Sequence, residues 1–252
     1  LIMEDLFSHQ QAKNSTSPSS HREAVSFPSE KGRMSSADVS ERDARVTYCV
    51  RRLKMTAQQI VDYSFCWPHP FNSVQELDRR LGALKLRKKI RWKSQQSKHE
   101  QCVLAAFVKI ARDARRNGIE VADVEKEHTL PGGGIRADMK FYLGDRLFFL
   151  EFEIADKADG WMKKLRKYVR FRKTKGVGPF RVLIVFDNKG PLTRVFYNAK
   201  PIMKPHPHLT LFLFGWSPDC PNGQYDAVTN PVWTTHKGLT VPLMEGKNKA
   251  VR

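Results

Sequence analysis

Cysteine is scarce in this 252-residue chain. Its four residues, Cys49, Cys66, Cys102 and Cys220, show no Cys-x-x-Cys spacing and no His/Cys cluster. They give no support to a zinc knuckle or a disulfide framework, and reduced, mostly buried thiols are expected. Long apolar runs are lacking too. Stretches such as Leu209 to Trp216 fall well short of the roughly 18 to 20 residues that cross a bilayer. Met3-Glu4-Asp5-Leu6 does not open a secretory signal, so a soluble, cytoplasmic protein without membrane insertion is expected. Acidic residues are in deficit, with 26 Asp+Glu against 44 Lys+Arg and a formal charge of +18. Such a balance seeks a polyanion: nucleic acid, an anionic membrane or an acidic protein. What is present suffices for a core, because 40% of the residues are hydrophobic and 10% aromatic. The length fits one to two domains, and no internal repeat is visible.

Residues 1–40 are rich in Ser, carry Pro18 and Pro28, and have no sustained apolar period, which predicts a disordered tail. From Glu41 the pattern turns helical. Val46, Val50 and Leu53 recur at helical spacing, Thr56 is an N-cap for a short helix to about Ser64, and Ser73 caps another. The latter carries Val74, Leu77, Leu81 and Leu84 on one face, with Arg79, Arg80 and Lys85 on the other. A basic, β-like segment follows, Arg87-Lys88-Lys89-Ile90-Arg91-Trp92-Lys93. Three helices and a basic hairpin are the order of a winged helix-turn-helix, expected over 41–98. Residues 41–98 hold 14 basic and 5 acidic side chains, half of the net charge. Duplex DNA is the favoured partner, with Arg79, Arg80, Lys85, Arg87, Lys88, Lys89, Arg91 and Lys93 as candidate contacts.

Residues 99–245 read as a second, α/β domain, and 246–252 as a basic C-terminal tail. A helix from Cys102 to Arg116 stops at Asn117-Gly118, and a short strand runs from Ile119 to about Val124. The loop Thr129 to Gly134 lacks the Lys-Ser/Thr of a P-loop. A hairpin spans Arg136 to Leu143 and Leu147 to Ile154. A basic helix from about Asp159 to Arg172 precedes a buried strand from Arg181 to Phe186. A helix around Thr193 to Ala199 and a strand from Leu209 to Phe214 complete the alternation.

The hairpin carries the chemistry. Glu151 and Glu153 share one sheet face by the period of two, and a turn at Gly144 places Asp138 across from them. Three converging carboxylates need cations, and hard oxygen donors suit Mg²⁺ or Mn²⁺. The basic helix returns Lys163, Lys164 and Lys167 over the sheet, an ammonium source for stabilising transition-state charge. Lys163 and Arg170 of that helix are further candidates for tracking the phosphate backbone, and Tyr168 is expected to pack against the sheet. Glu125 and Glu127 read as solvated strand-end carboxylates.

An Asp, a hairpin, Glu-x-Glu and a Lys-bearing helix resemble the PD-(D/E)xK nuclease superfamily. Phe148 to Glu153 followed by Lys164-Leu165-Arg166-Lys167-Tyr168 is similar to the replication-relaxation family and to plasmid mobilisation relaxases of the MobC class, over about residues 41–245. The resemblance implies a winged helix joined to a restriction-endonuclease-like domain with a mixed central sheet. Asp138 then matches the first metal-binding acid and Glu151 the second, while Glu153 stands where Lys is usual. Ala137 replaces the motif Pro, and the motif Lys is absent, so Lys164 or Lys167 would supply the charge from the helix. The resemblance also implies a metal-dependent nickase acting on supercoiled plasmid DNA at a transfer origin, without a lasting tyrosine adduct. A coupling protein and a type IV secretion apparatus would be its partners.

Two other readings stand beside it. One is a non-catalytic replication initiator or DNA-binding regulator. The other is a relaxase of the HUH class, with His206 and His208 as metal ligands and Tyr168 or Tyr197 as nucleophile, although Pro205 and Pro207 disfavour the strand geometry this needs. His236 reads as an ordinary polar residue.

Overall fold

The computed structural model describes residues 36–91, 95–132, 134–154, 160–174, 176–187, 189–206, 211–216 and 226–244. The chain divides between residues 40 and 41, and residues 41–252 group as one unit. The tail reading for 1–35, the basic tail at 246–252, Lys93, His208 and Cys220 lie outside the described residues.

Six helices and a seven-stranded mixed sheet make up the described fold. Helix α1 is Ser36–Tyr48, continued by a π-helical turn, Cys49–Leu53, that ends on Lys54 at φ +57°. Helix α2 is Ala57–Ser64 and α3 is Val74–Ala83. Thr56 starts α2 with a capping box closed by Gln59, and the Ser73 hydroxyl accepts from the Glu76 amide to start α3, both as the sequence predicts.

The basic segment expected to be β-like is instead a 3-10 turn over Arg87–Lys89, and among the described residues no strand precedes Val121. The cause is local. Leu86 is buried and its amide bonds back to the Leu81 carbonyl at 2.8 Å, while the Lys89 amide bonds to the Leu86 carbonyl at 2.8 Å. The backbone groups that would pair a wing strand are spent on turns.

Helix α4, Lys98–Arg116, starts four residues earlier than expected because Ser97 and Glu100 form a capping box. Strand β1 is Val121–Thr129, β2 Arg136–Leu143 and β3 Arg146–Glu153. The β2–β3 loop is only Gly144-Asp145, with Gly144 at φ +56°, a conformation that strains any residue with a Cβ. Helix α5 is Trp161–Arg172, β4 Phe180–Phe186, α6 Lys189–Met203 and β5 Phe212–Trp216. Short strands β6, Trp233–Thr235, and β7, Thr240–Val241, finish the sheet.

Strands lie in chain order, antiparallel from β1 to β3, parallel from β3 through β5, then antiparallel to β7. The parallel centre is covered on both faces, which is why β3 is buried over five consecutive residues. On one face Met139, Phe141, Leu143, Phe148, Leu150 and Phe152 join α4 and residues 46–86 in a single hydrophobic cluster. On the other, Tyr168 of α5 meets Phe149, Phe180 and Phe212, and Trp161 meets Phe186.

Candidate functional site

Strands β2 and β3 stay in register from Leu143↔Arg146 to Met139↔Leu150 and then part. Beyond that point β3 continues alone against β4, as far as Glu153↔Phe186. The amide left over on β3 is taken by a side chain, because Phe152 N–H donates to Asp138 Oδ2 at 2.8 Å. From the first turn of α4, His99 Nε2 lies 2.9 Å from the Phe152 carbonyl oxygen and 3.3 Å from the same Asp138 oxygen. The hydrogen bond that Asp138 accepts from His99 raises the His99 pKa against a lowering by burial. His99 went unnoticed in the sequence, yet Ser97-Lys98-His99-Glu100 is a legible capping box that places it in a helical first turn.

Glu151 sits deeper, 1% exposed. Its Oε2 accepts from Lys164 Nζ at 2.5 Å and its Oε1 from the Tyr168 hydroxyl at 2.5 Å. Lys164 and Tyr168 are four apart on α5, so both reach one carboxylate from a single helix face. Burial pushes the Glu151 carboxyl up to about 7, the Lys164 ammonium pulls it down, and Asp138 adds to the rise. The Tyr168 hydroxyl is raised by its own burial and by Glu151.

Not every expected member joins. Lys167 donates to the Gly134 carbonyl at 2.5 Å and ties α5 to the loop after β1. Glu153 is half-buried at the end of β3, about 6.6 Å along the strand from Glu151. Glu153 also acts electrostatically on His99, the partner of Asp138. Among the described residues no group of three or more His, Cys, Asp or Glu is set to hold a metal. Asp138 and Glu151 remain of the donor class that Mg²⁺ or Mn²⁺ requires. The described partners of Asp138 use Oδ2 alone, which leaves Oδ1 for a cation, whereas Glu151 would have to exchange Lys164 for one. The residues fit a divalent ion in chemistry, with Lys164 as the resident cation.

The predicted DNA contacts fall into two groups. Arg79, Lys85, Lys88 and Lys89 are exposed, as are Lys163 and Arg170 on α5. Arg80 is held by Asp43, Arg87 by Asp78 at 2.9 Å, and Arg91 by Glu100 at 3.3 Å. Exposed Lys163, Arg166 and Arg170 share one face of α5, opposite buried Trp161 and Tyr168. Glu125 is engaged, by Lys140 at 2.7 Å and His128 at 2.7 Å. Of the tyrosines considered as nucleophiles, Tyr168 is buried on Glu151 and Tyr197 is 43% exposed on α6. His206 is half-buried after α6, and His236 is buried with Nδ1 unpartnered among the described residues. No helix among the described residues is long and apolar enough to cross a membrane. No protein-family model, curated protein or solved structure matches the chain.

Proposed function

We propose that this protein is a divalent-metal-dependent nickase that hydrolyses or transesterifies one strand of duplex DNA, with its site at the parting of β2 and β3. The single observation that carries the reading is a nearly inaccessible carboxylate, Glu151, held by an ammonium from a cationic helix and set beside Asp138, which takes over a strand amide. Buried charge is costly, and a solvated structural pair would not need it. The order helix α4, three antiparallel strands, helix α5 and a strand parallel to β3 supports a restriction-endonuclease-like core. The helical residues before it support a DNA-positioning module of winged-helix type whose wing strand is lacking among the described residues.

Asp138 and Glu151 would hold Mg²⁺ or Mn²⁺, which when bound supplies Lewis acidity and an activated water. The chain's own residues do the rest. Lys164 is released from Glu151 and offers its ammonium to the charge that develops on the phosphate. His99 fixes the Asp138 carboxylate and the Phe152 carbonyl against each other, so the acid does not drift when a substrate approaches. Lys163, Arg166 and Arg170 align the phosphate backbone along α5. From the resemblance, an origin on supercoiled plasmid DNA is the proposed substrate, and conjugative mobilisation with a coupling protein and secretion apparatus the proposed setting.

A second reading, a DNA-binding initiator or regulator that does not cut, is favoured by one observation: both Glu151 oxygens are satisfied within the protein. Melting in Mn²⁺ and in EDTA separates the two. A ligand that binds only the folded chain raises its melting temperature. A nickase melts higher in Mn²⁺, and Glu151→Gln removes the rise; a pure binder shows equal melting in both conditions.

A further inference from the structure

At the far end of α4 from His99, a second surface combines arginines with an exposed ring. Phe65, which ends α2, is 46% exposed in a chain whose other phenylalanines are largely buried where described. The Arg112 guanidinium stands 5.5 Å from its ring centroid, inside the range of a cation–π contact. Arg115 is exposed one turn along α4 from Arg112, and among the described residues neither has an acidic partner. Arg45 also faces this corner: with Arg115 and Arg112 it is one of three cations that act on the thiol of Cys66, next to Phe65. Acids of α1, α2 and α4 have partners within the protein. Glu41 holds Arg45 at 2.5 Å, buried Asp113 holds Lys109 at 2.8 Å and Arg116 at 3.4 Å, and Asp62 accepts from Gln58 at 3.1 Å. Burial pushes the Cys66 thiol up to about 12, so the corner offers no reactive sulfur and its chemistry is cationic and aromatic.

We propose that Phe65, Arg112 and Arg115 form a binding site for single-stranded nucleic acid, with a base stacked on Phe65 and the flanking phosphates on the two arginines. An exposed ring gains little from a duplex, whose bases already stack on one another, but it offers an unpaired base a platform that tolerates any sequence. Two guanidiniums beside it, neither with an acidic partner among the described residues, match the phosphates on either side of that base. The helix rise puts Arg112 about 20 Å from His99 along α4, too far to belong to the Asp138–Glu151 site. The assignment goes beyond the nickase reading and does not require cleavage.

The test is fluorescence anisotropy with a short labelled oligothymidylate, in EDTA, using the full chain and the variants Phe65→Ala, Phe65→Trp, Arg112→Ala/Arg115→Ala and Glu151→Gln. Loss of one stacked base weakens binding about 5-fold or more, so Phe65→Ala shows at least that loss and Phe65→Trp restores it. The double arginine variant lowers the slope of log affinity against log salt by about 1.4, the share of two single-strand phosphates. Glu151→Gln binds as the unaltered chain does, so a failure of the nickase reading leaves this result standing. Melting temperature checks that each variant folds. Unchanged affinity in Phe65→Ala, equal losses on a blunt duplex of the same length, or displacement of the oligothymidylate by poly-glutamate at matched charge would each overturn the assignment.

Discussion

The two faces of the β2–β3 hairpin are made from the same sixteen residues and the same backbone, yet they answer to different physics. One face is Met139, Phe141, Phe148, Leu150 and Phe152, all at most 4% exposed and packed into the helical side of the molecule. The other alternates with it residue by residue and carries Asp138, Lys140, Phe149, Glu151 and Glu153. A sheet that needed only stability would make both faces like the first, since well-packed apolar residues often replace a buried ion pair with no loss. The carboxylate at 1% exposure on the second face is the feature on which the proposed nickase site rests.

Breaking the first face has the largest effect. Phe141 stacks on Phe148 at 5.8 Å and tilts against Phe107 at 5.4 Å, so Phe141→Ala lowers stability by about 3–5 kcal/mol in urea denaturation. On the second face, Lys164→Met strands Glu151 without its cation and costs about 3 kcal/mol at alkaline pH, less in acid where the carboxyl takes a proton. The sign for the unaltered chain follows from the folded Glu151 carboxyl near 7 against an ordinary 4.5. Between those values the folded state binds a proton that the unfolded chain has released, so stability from this group falls as pH rises. Urea midpoints across that window slope downward for the unaltered chain and flatten in Glu151→Gln; equal slopes in both contradict the buried carboxyl. Asp138→Ala orphans the Phe152 amide and costs about 1–3 kcal/mol, while Asp138→Asn, which keeps an acceptor, costs less. Smallest are Lys163→Ala and Arg170→Ala on the exposed face of α5. Each changes stability by no more than about 0.5 kcal/mol. Each lowers the salt slope of duplex binding by about 0.9.

Much of the hairpin was legible because alternation and a glycine turn are local signals: Arg136–Leu143 and the strand through Glu153 fall where the pattern puts them. Thr56 and Ser73 were legible as caps for the same reason. The basic run after Lys85 was not, since its composition suits a wing but the buried Leu86 draws the backbone into turns. Within the site, Lys164 was named but not separated from Lys167. Helix geometry separates them, because residue 168 lies about 40° to one side of 164 and residue 167 about 60° to the other, where it lands on Gly134. Glu151 and Glu153 do lie on one face, but a period of two says nothing of depth, and helix α5 covers the former through Lys164 and Tyr168. His99 reaches Asp138 from 39 positions away in the chain, a contact that no local pattern encodes.

The central claim is tested most directly by incubating the protein and its Glu151→Gln variant with supercoiled plasmid carrying the native origin, in Mg²⁺, Mn²⁺ or EDTA, and resolving the products before and after protease and SDS. The account predicts open circles from the unaltered chain in metal alone, with no protein left on the DNA end and none formed by Glu151→Gln at undiminished DNA affinity. Open circles from Glu151→Gln at the same rate, or none from either protein in any condition, would contradict it.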